Sequence, residues 1–173
     1  MTLGGESLVL GRNEQMEEAI RKAEALIEAL PYIKAFKDRV IVIKLGGSAL
    51  AELNILQEFL EDVIFMKTAG MRPVLVHGGG PHISREMTRR GKQPQFIQGH
   101  RVTDTETLEV VVDVLVNQVN ATILKELERL GDGGANLWRH GRPPLEAEKY
   151  MPADGSGTLL DLGCVGELTS VDV

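Results

Sequence analysis

The sequence predicts an α/β fold built on a mostly parallel open sheet. Two short runs rich in β-branched residues, Val40 to Leu45 and Pro73 to Val76, flank one amphipathic helical pattern. Strand, helix, strand in that order implies a parallel pair, and the crossover joining such a pair is right-handed. Each strand also runs straight into glycines, at Gly46-Gly47 and at Gly78-Gly79-Gly80. Both turns then fall at the carboxyl edge of the sheet, where open α/β sheets bind their ligands.

The elements follow in order. Residues 1–12 carry three glycines and no periodicity, which predicts a disordered start. From Asn13 the apolar positions Met16, Ala19, Ile20, Ala23, Leu26, Ile27 and Leu30 recur at helical spacing, with Glu17, Glu18, Arg21, Lys22, Glu24 and Glu28 opposite. This predicts an amphipathic helix capped by Asn13 and stopped by Pro31, so that 13–38 is helix and linker and 39–173 is the main domain. Leu56, Phe59, Leu60, Val63 and Met66 predict the second helix, ending near Gly70. A third begins at Pro81 and ends at Gly91, with Arg89 and Arg90 in its last turn, where cations are favoured. Thr103 and Glu106 form a capping-box pattern ahead of the apolar series Leu108 to Leu127, predicting the longest helix, closed by Gly131. Beyond it, pieces around Ala135 to Trp138, Leu145 to Ala147 and Leu159 to Val165 predict strands or hairpins.

Composition narrows the function. A chain of 173 residues suits one domain with its own core. The formal charge of -6 argues against nonspecific nucleic-acid binding, which needs a basic face. The single cysteine, Cys164, allows no intrachain disulfide and reads as a small buried hydrophobe, and no Cys/His spacing resembles a metal site. Apolar runs fall far short of the roughly 20 residues that cross a bilayer, and the first residues lack a leader pattern. The expectation is a cytoplasmic protein with a small-molecule ligand, no nucleic acid and no membrane.

Three motifs could carry chemistry. Lys44, set between Ile43 and Leu45, would be costly to bury without an anion, and Gly46 and Gly47 let backbone N–H groups approach phosphate oxygens. A lysine reaching from a strand end to solvent is the plainer alternative. The second turn, His77 to Pro81, offers backbone donors for a carboxylate or phosphoryl group, or is simply a tight turn, and His77 reads as structural rather than catalytic. Arg101, in Gly99 to Asp104, could fork onto a carboxylate, or pair with Asp104 at the surface. Neither turn matches the common nucleotide signatures.

In this order Lys44-Leu45-Gly46-Gly47-Ser48, Val76 to Pro81, Arg101-Val102-Thr103-Asp104 and Asp161 to Leu168 resemble the motifs of the amino-acid-kinase family, and the last two resemble its N-acetylglutamate kinase subgroup. The resemblance runs from about Arg39 to the end. It implies a three-layer αβα sandwich with a mostly parallel open sheet, of which this chain is the amino-terminal, acid-binding half. It further implies transfer of the ATP γ-phosphoryl group, with Mg²⁺, to the side-chain carboxylate of N-acetyl-L-glutamate in arginine biosynthesis. Lys44 would stabilise the phosphoryl group, Gly46 and Gly47 would donate to it, Gly79 and Gly80 would hold the acid, and Arg101 would clamp its α-carboxylate. The leading helix is similar to one that joins dimers into a hexamer in arginine-inhibited members, so a homo-oligomer is implied.

The sequence also departs from that family. The half that holds the nucleotide and supplies an asparagine, a second lysine and an aspartate has no counterpart here, so the expectation is a fragment or a truncated protein. The competing reading is a catalytically inactive substrate-binding or assembly module. The stretch Asn136 to Pro144 departs from the glycine-rich text of the family.

Overall fold

The computed structural model describes residues 5–47, 50, 52–136 and 145–171, with side chains from residue 15 onward. Two compact units emerge: Met1–Val42 with Phe65–Val74, and Ile43–Ile64 with Leu75–Val173. The sequence-based division at residue 38 follows the linker, whereas these units follow the contacts.

The first unit is dominated by helix α1, Gly5–Phe36. Helix α1 is longer than its periodicity predicts at both ends. It already includes residues 5–12, and Pro31 lies inside it instead of ending it. Proline leaves the carbonyl four residues earlier without its helical donor. That carbonyl belongs to Ile27, which is 70% exposed, so water can satisfy it. The apolar face is exposed as well: Met16, Ile20, Leu26, Ile27 and Leu30 all lie open. The unit closes where the Asp38 amide donates to the Gly70 carbonyl and the Arg72 amide to the Arg39 carbonyl, both at 2.8 Å.

Strands β1, Val40–Leu45, and β2, Arg72–His77, form a two-stranded sheet. The Arg72 amide meets the Arg39 carbonyl and the Gly78 amide meets the Leu45 carbonyl. The sequence offset is the same at both ends, as parallel strands require. Between them runs α2, Leu53–Thr68, so the predicted β-α-β unit is present and the chain is α/β.

The second unit holds the core. Leu45, Leu56, Leu60, Ile83, Met87, Val110, Val114, Val119, Ile123 and Leu127 form one cluster drawn from β1, α2, helix α3 (Gly80–Arg89) and the helical run that follows. That run comprises α4, Thr105–Val112, a π-helical segment Asp113–Asn120, and α5, Ala121–Arg129. It spans 25 residues against 32 in α1, so the longest helix is α1, contrary to expectation. By length and composition this run could cross a bilayer. Here it supplies half of the core cluster, the usual origin of such hydropathy in a core helix.

Two small antiparallel pairs complete the unit. Strands β3 (Phe96–Ile97) and β4 (His100–Arg101) pair with each other, and β5 (Leu145–Lys149) pairs with β6 (Gly166–Val171). The predicted strand near Leu159 to Val165 is therefore displaced to 166–171. Leu159 makes only an isolated bridge to Ala153, while Gly163 bridges Thr103 in parallel. Residues 137–144, including Trp138, lie outside the described residues.

Candidate functional site at the glycine turns

Three of the sequence motifs converge within the second unit. The strand β1 leads into Gly46-Gly47, and β2 leads into Gly78-Gly79-Gly80. A Cβ on Gly47 would lie 2.9 Å from Cδ of Pro81, closer than side chains tolerate. Glycine at 47 is what lets the first turn rest against the start of α3. The Gly78 amide donates to the Leu45 carbonyl at 3.2 Å, tying the second turn to the end of β1. Among the described residues, chain neighbours and the α3 backbone aside, no heavy atom lies within 4 Å of the Cβ positions of Gly46, Gly78 and Gly80, so both turns have open positions.

Lys44 is exposed, and among the described residues it forms no ion pair, leaving its ammonium available to an anion. The costly buried lysine weighed from the sequence is not what the strand end presents.

Arg101 is the most constrained cation here. Its Nη2 donates to Ser84 Oγ at 2.8 Å and to the Gly80 carbonyl at 3.2 Å, and its Nη1 lies 3.1 Å from Met87 Sδ. The guanidinium carbon sits 4.7 Å from the centre of the Phe96 ring, within cation–π range. Burial pushes the Arg101 pKa down from its ordinary value. A guanidinium carries five N–H donors, so these contacts fix its plane and leave donors for a ligand. The surface pairing with Asp104 does not occur: Lys92 takes that carboxylate at 2.7 Å and Glu106 at the same distance.

Asp104, not Thr103, caps α4, accepting from the Thr107 amide at 2.8 Å. Thr103 is otherwise engaged. Its amide donates to the Leu162 carbonyl at 2.8 Å, and its carbonyl accepts from the Cys164 amide at 2.6 Å. Gly163, between these partners, has φ +77, and a Cβ there would collide with the Thr103 carbonyl oxygen. Only glycine fits, and this is how the third and fourth motifs meet. Cys164 is exposed, not the buried hydrophobe expected.

The sequence profile of the Amino acid kinase family matches residues 39–137, more than half of the chain. The chain belongs to the amino acid kinase family. Within the family its sequence is 42% identical over 153 residues to acetylglutamate kinase of Methanothrix thermoacetophila, covering 88% of this chain and 53% of that protein. It is 44% identical over 156 residues to acetylglutamate kinase of Thiobacillus denitrificans, covering 89% and 53%. The chain thus spans about half the length of the curated relatives it matches. Among solved structures, N-acetylglutamate synthase from Neisseria gonorrhoeae, complexed with coenzyme A and N-acetyl-glutamate, superposes with a TM-score of 0.66 at 24% identity, covering 87% of this chain and 33% of that one. The protein smu.665 of Streptococcus mutans UA159 gives 0.64 at 29%, covering 76% and 50%.

The predicted residues of this amino acid kinase chain therefore fall into neighbouring turns, while three partners went unnoticed in the sequence. Ser84 lies one helical turn after Gly80 and so faces the same way, a spacing that could have pointed to it. Phe96 is separated from Arg101 by a tight turn whose pairing register the sequence does not reveal. Asn120, which reaches His77, sits in the π-helical segment, and no periodicity argument anticipates π geometry.

Proposed function

We propose that this chain is the acid-binding half of an acetylglutamate kinase. The observation that carries the reading is Arg101, locked by Ser84, Gly80 and Phe96 beside a glycine turn that is itself bonded to the end of the Lys44 strand. A planar, pre-oriented guanidinium next to open backbone donors suits a dicarboxylic substrate. In the reaction, the side-chain carboxylate oxygen of N-acetyl-L-glutamate attacks the γ-phosphorus of ATP. An O–P bond forms to the acid as the bond to the β-phosphate oxygen breaks, giving an acyl phosphate and ADP.

Such a transfer needs positioning and charge stabilisation more than covalent help. Lys44 neutralises charge on the transferring phosphoryl group, and Gly46 and Gly47 donate backbone hydrogen bonds to it. Gly79 and Gly80 hold the acid, and Arg101 clamps its α-carboxylate. ATP enters with Mg²⁺ as co-substrate. Among the described residues no group of three or more His, Cys, Asp or Glu side chains could hold a metal. Mg²⁺ keeps much of its water and binds through phosphate oxygens, so in this reading the cation is carried on the nucleotide phosphates.

The complete domain in this reading is a three-layer αβα sandwich with a mostly parallel open sheet, working in the cytoplasm in arginine biosynthesis. The exposed apolar face of α1 supports a homo-oligomer, a dimer or a hexamer, formed through that helix.

Calorimetric titration of the 173-residue chain with N-acetyl-L-glutamate tests the reading, followed by ATP. Saturable binding of the acid is expected, weakened at least tenfold in Arg101→Ala, the scale of a lost charge-assisted hydrogen bond. A folded chain that takes up no acid would sink the assignment.

A further inference from the structure

The glycine turn is held from behind by a chain of side-chain hydrogen bonds that the proposed reaction does not use. The Asn136 Nδ2 donates to Asn120 Oδ1 at 3.0 Å, Asn120 Nδ2 lies 3.3 Å from His77 Nε2, and His77 Nδ1 lies 3.4 Å from the Gly78 carbonyl oxygen. All four residues belong to the second unit. Their chemistry fixes a direction. Asn120 has committed its oxygen to Asn136, so it can offer His77 only N–H, and His77 Nε2 must accept. At the other end a carbonyl can only accept, so Nδ1 must carry the proton. Both ends demand the same neutral ring, with its hydrogen on Nδ1, the form an isolated histidine favours less.

The turn beyond leaves little slack. The Gly78 amide is bonded to Leu45, and a Cβ on Gly79 would come 2.6 Å from Leu115 Cδ2 in the π-helical segment. Asn120 stands at the end of that same segment. One helical irregularity thus presents both the surface against which Gly79 packs and the amide that orients His77. π-helical turns inside α-helices are frequent at functional sites.

We propose that His77 is a positioning residue for the Gly78–Gly80 turn, and that Asn136 acts through Asn120 to hold its ring in the Nδ1-protonated form. The proposal rests on the acid-binding reading for its functional consequence, while the relay itself does not. A direct consequence is action without contact. Asn136→Asp places an acceptor against Asn120 Oδ1, which forces the Asn120 amide to turn over, presents its oxygen to His77 and moves the ring proton to Nε2. His77 Nδ1 then faces the Gly78 carbonyl as acceptor against acceptor, and the turn loses its brace.

The test is long-range ¹H–¹⁵N NMR of the histidine rings of the 173-residue chain at about pH 8, where histidine is ordinarily neutral, with calorimetry beside it. Wild-type chain should show the Nδ1-protonated pattern at His77, and Asn136→Asp the Nε2-protonated pattern. Affinity for N-acetyl-L-glutamate should fall about tenfold, the effect of losing one hydrogen bond. Asn120→Asp, which can only accept, should give the same ring inversion and serves if the first variant fails to fold. A wild-type ring protonated on Nε2, a ring indifferent to both substitutions, or an inverted ring with unchanged acid affinity would each overturn the proposal. Should the wild-type chain bind no acid, the function proposed above falls instead, and the Gly79 and Gly80 amide shifts become the readout. Their failure to move when the ring inverts would overturn the positioning role.

Discussion

Helix α1 and the run from Thr105 to Arg129 are both written with apolar side chains every three or four residues, yet they lie in opposite surroundings. Ile27 in α1 is 70% exposed, while Val114 in the run is 0% exposed. Charged side chains do not account for the contrast. Those of α1 pair with one another one turn apart, Lys22 with Glu18 at 2.6 Å, an exposed contact that contributes little. The run instead brings a buried carboxylate into the second unit, where Glu126 accepts from Gln57 and Arg129 at 2.8 Å. What differs is the availability of a complementary surface, which α2 and α3 supply to the run. Periodicity specifies that a helix has an apolar face; it does not specify what covers it.

Matched truncations on the two helices put this contrast to the test. Ile123, 4% exposed, belongs to the core cluster. Ile123→Ala should cost about 2–5 kcal/mol, read by urea unfolding, through lost burial and the cavity left behind.

A smaller effect, present at neutral pH and lost in acid, is expected at the start of the run. Asp104 is held well below the usual carboxylate range, first by the hydrogen bond from Lys92 and then by those from Thr107. A carboxylate with a depressed folded-state pKa stabilises the fold above its unfolded value, near 3.9, and loses that contribution as pH falls toward the folded value. Asn at 104 keeps a competent cap but not the charge. Melting curves of wild type and Asp104→Asn should therefore be separated at neutral pH and converge below about pH 4. A gap that persists unchanged into acid would show that the charge contributes nothing.

Ile27→Ala should be the mildest, within about 0.5 kcal/mol for the chain's own unfolding, as for other exposed positions. Its effect should appear in sedimentation as weaker self-association. A loss of stability equal to that of Ile123→Ala would mean that α1 is buried after all, and the contrast would collapse.

The same contrast explains what the sequence made legible. The strands β1 and β2, helices α2 and α3 and both glycine turns announced themselves because each rests on local rules: β-branched runs, helical spacing, proline at a helix start. The meeting of Arg101 with Gly80 was implied only through the family resemblance, since the residues around Arg101 left a surface pairing with Asp104 open. What escaped were features set by pairing across the chain. Pro31 is more easily tolerated where water can satisfy the freed carbonyl, and burial cannot be read from one segment. Thr103 looked like the cap of α4, but its hydroxyl is turned back to donate to the Arg101 carbonyl, and Asp104 caps instead. Cys164 proved exposed, which one segment likewise does not reveal. His77 was read as structural from its position alone, and nothing in the text near it points to Asn120.

The bridge between Thr103 and Gly163 has a consequence for the order of assembly. Its two sides are far apart in sequence, so closing it fixes a long loop of chain, whereas the turns of α4 and α5 form from neighbours. The helices and their core can therefore consolidate first, with the hairpin of β5 and β6 arriving afterwards on a latch of two backbone hydrogen bonds and the wholly buried Leu162. A latch that closes last opens first. The hairpin should then behave as a separate cooperative unit, its amides exchanging with solvent faster than those around Leu60, Met87 and Val114.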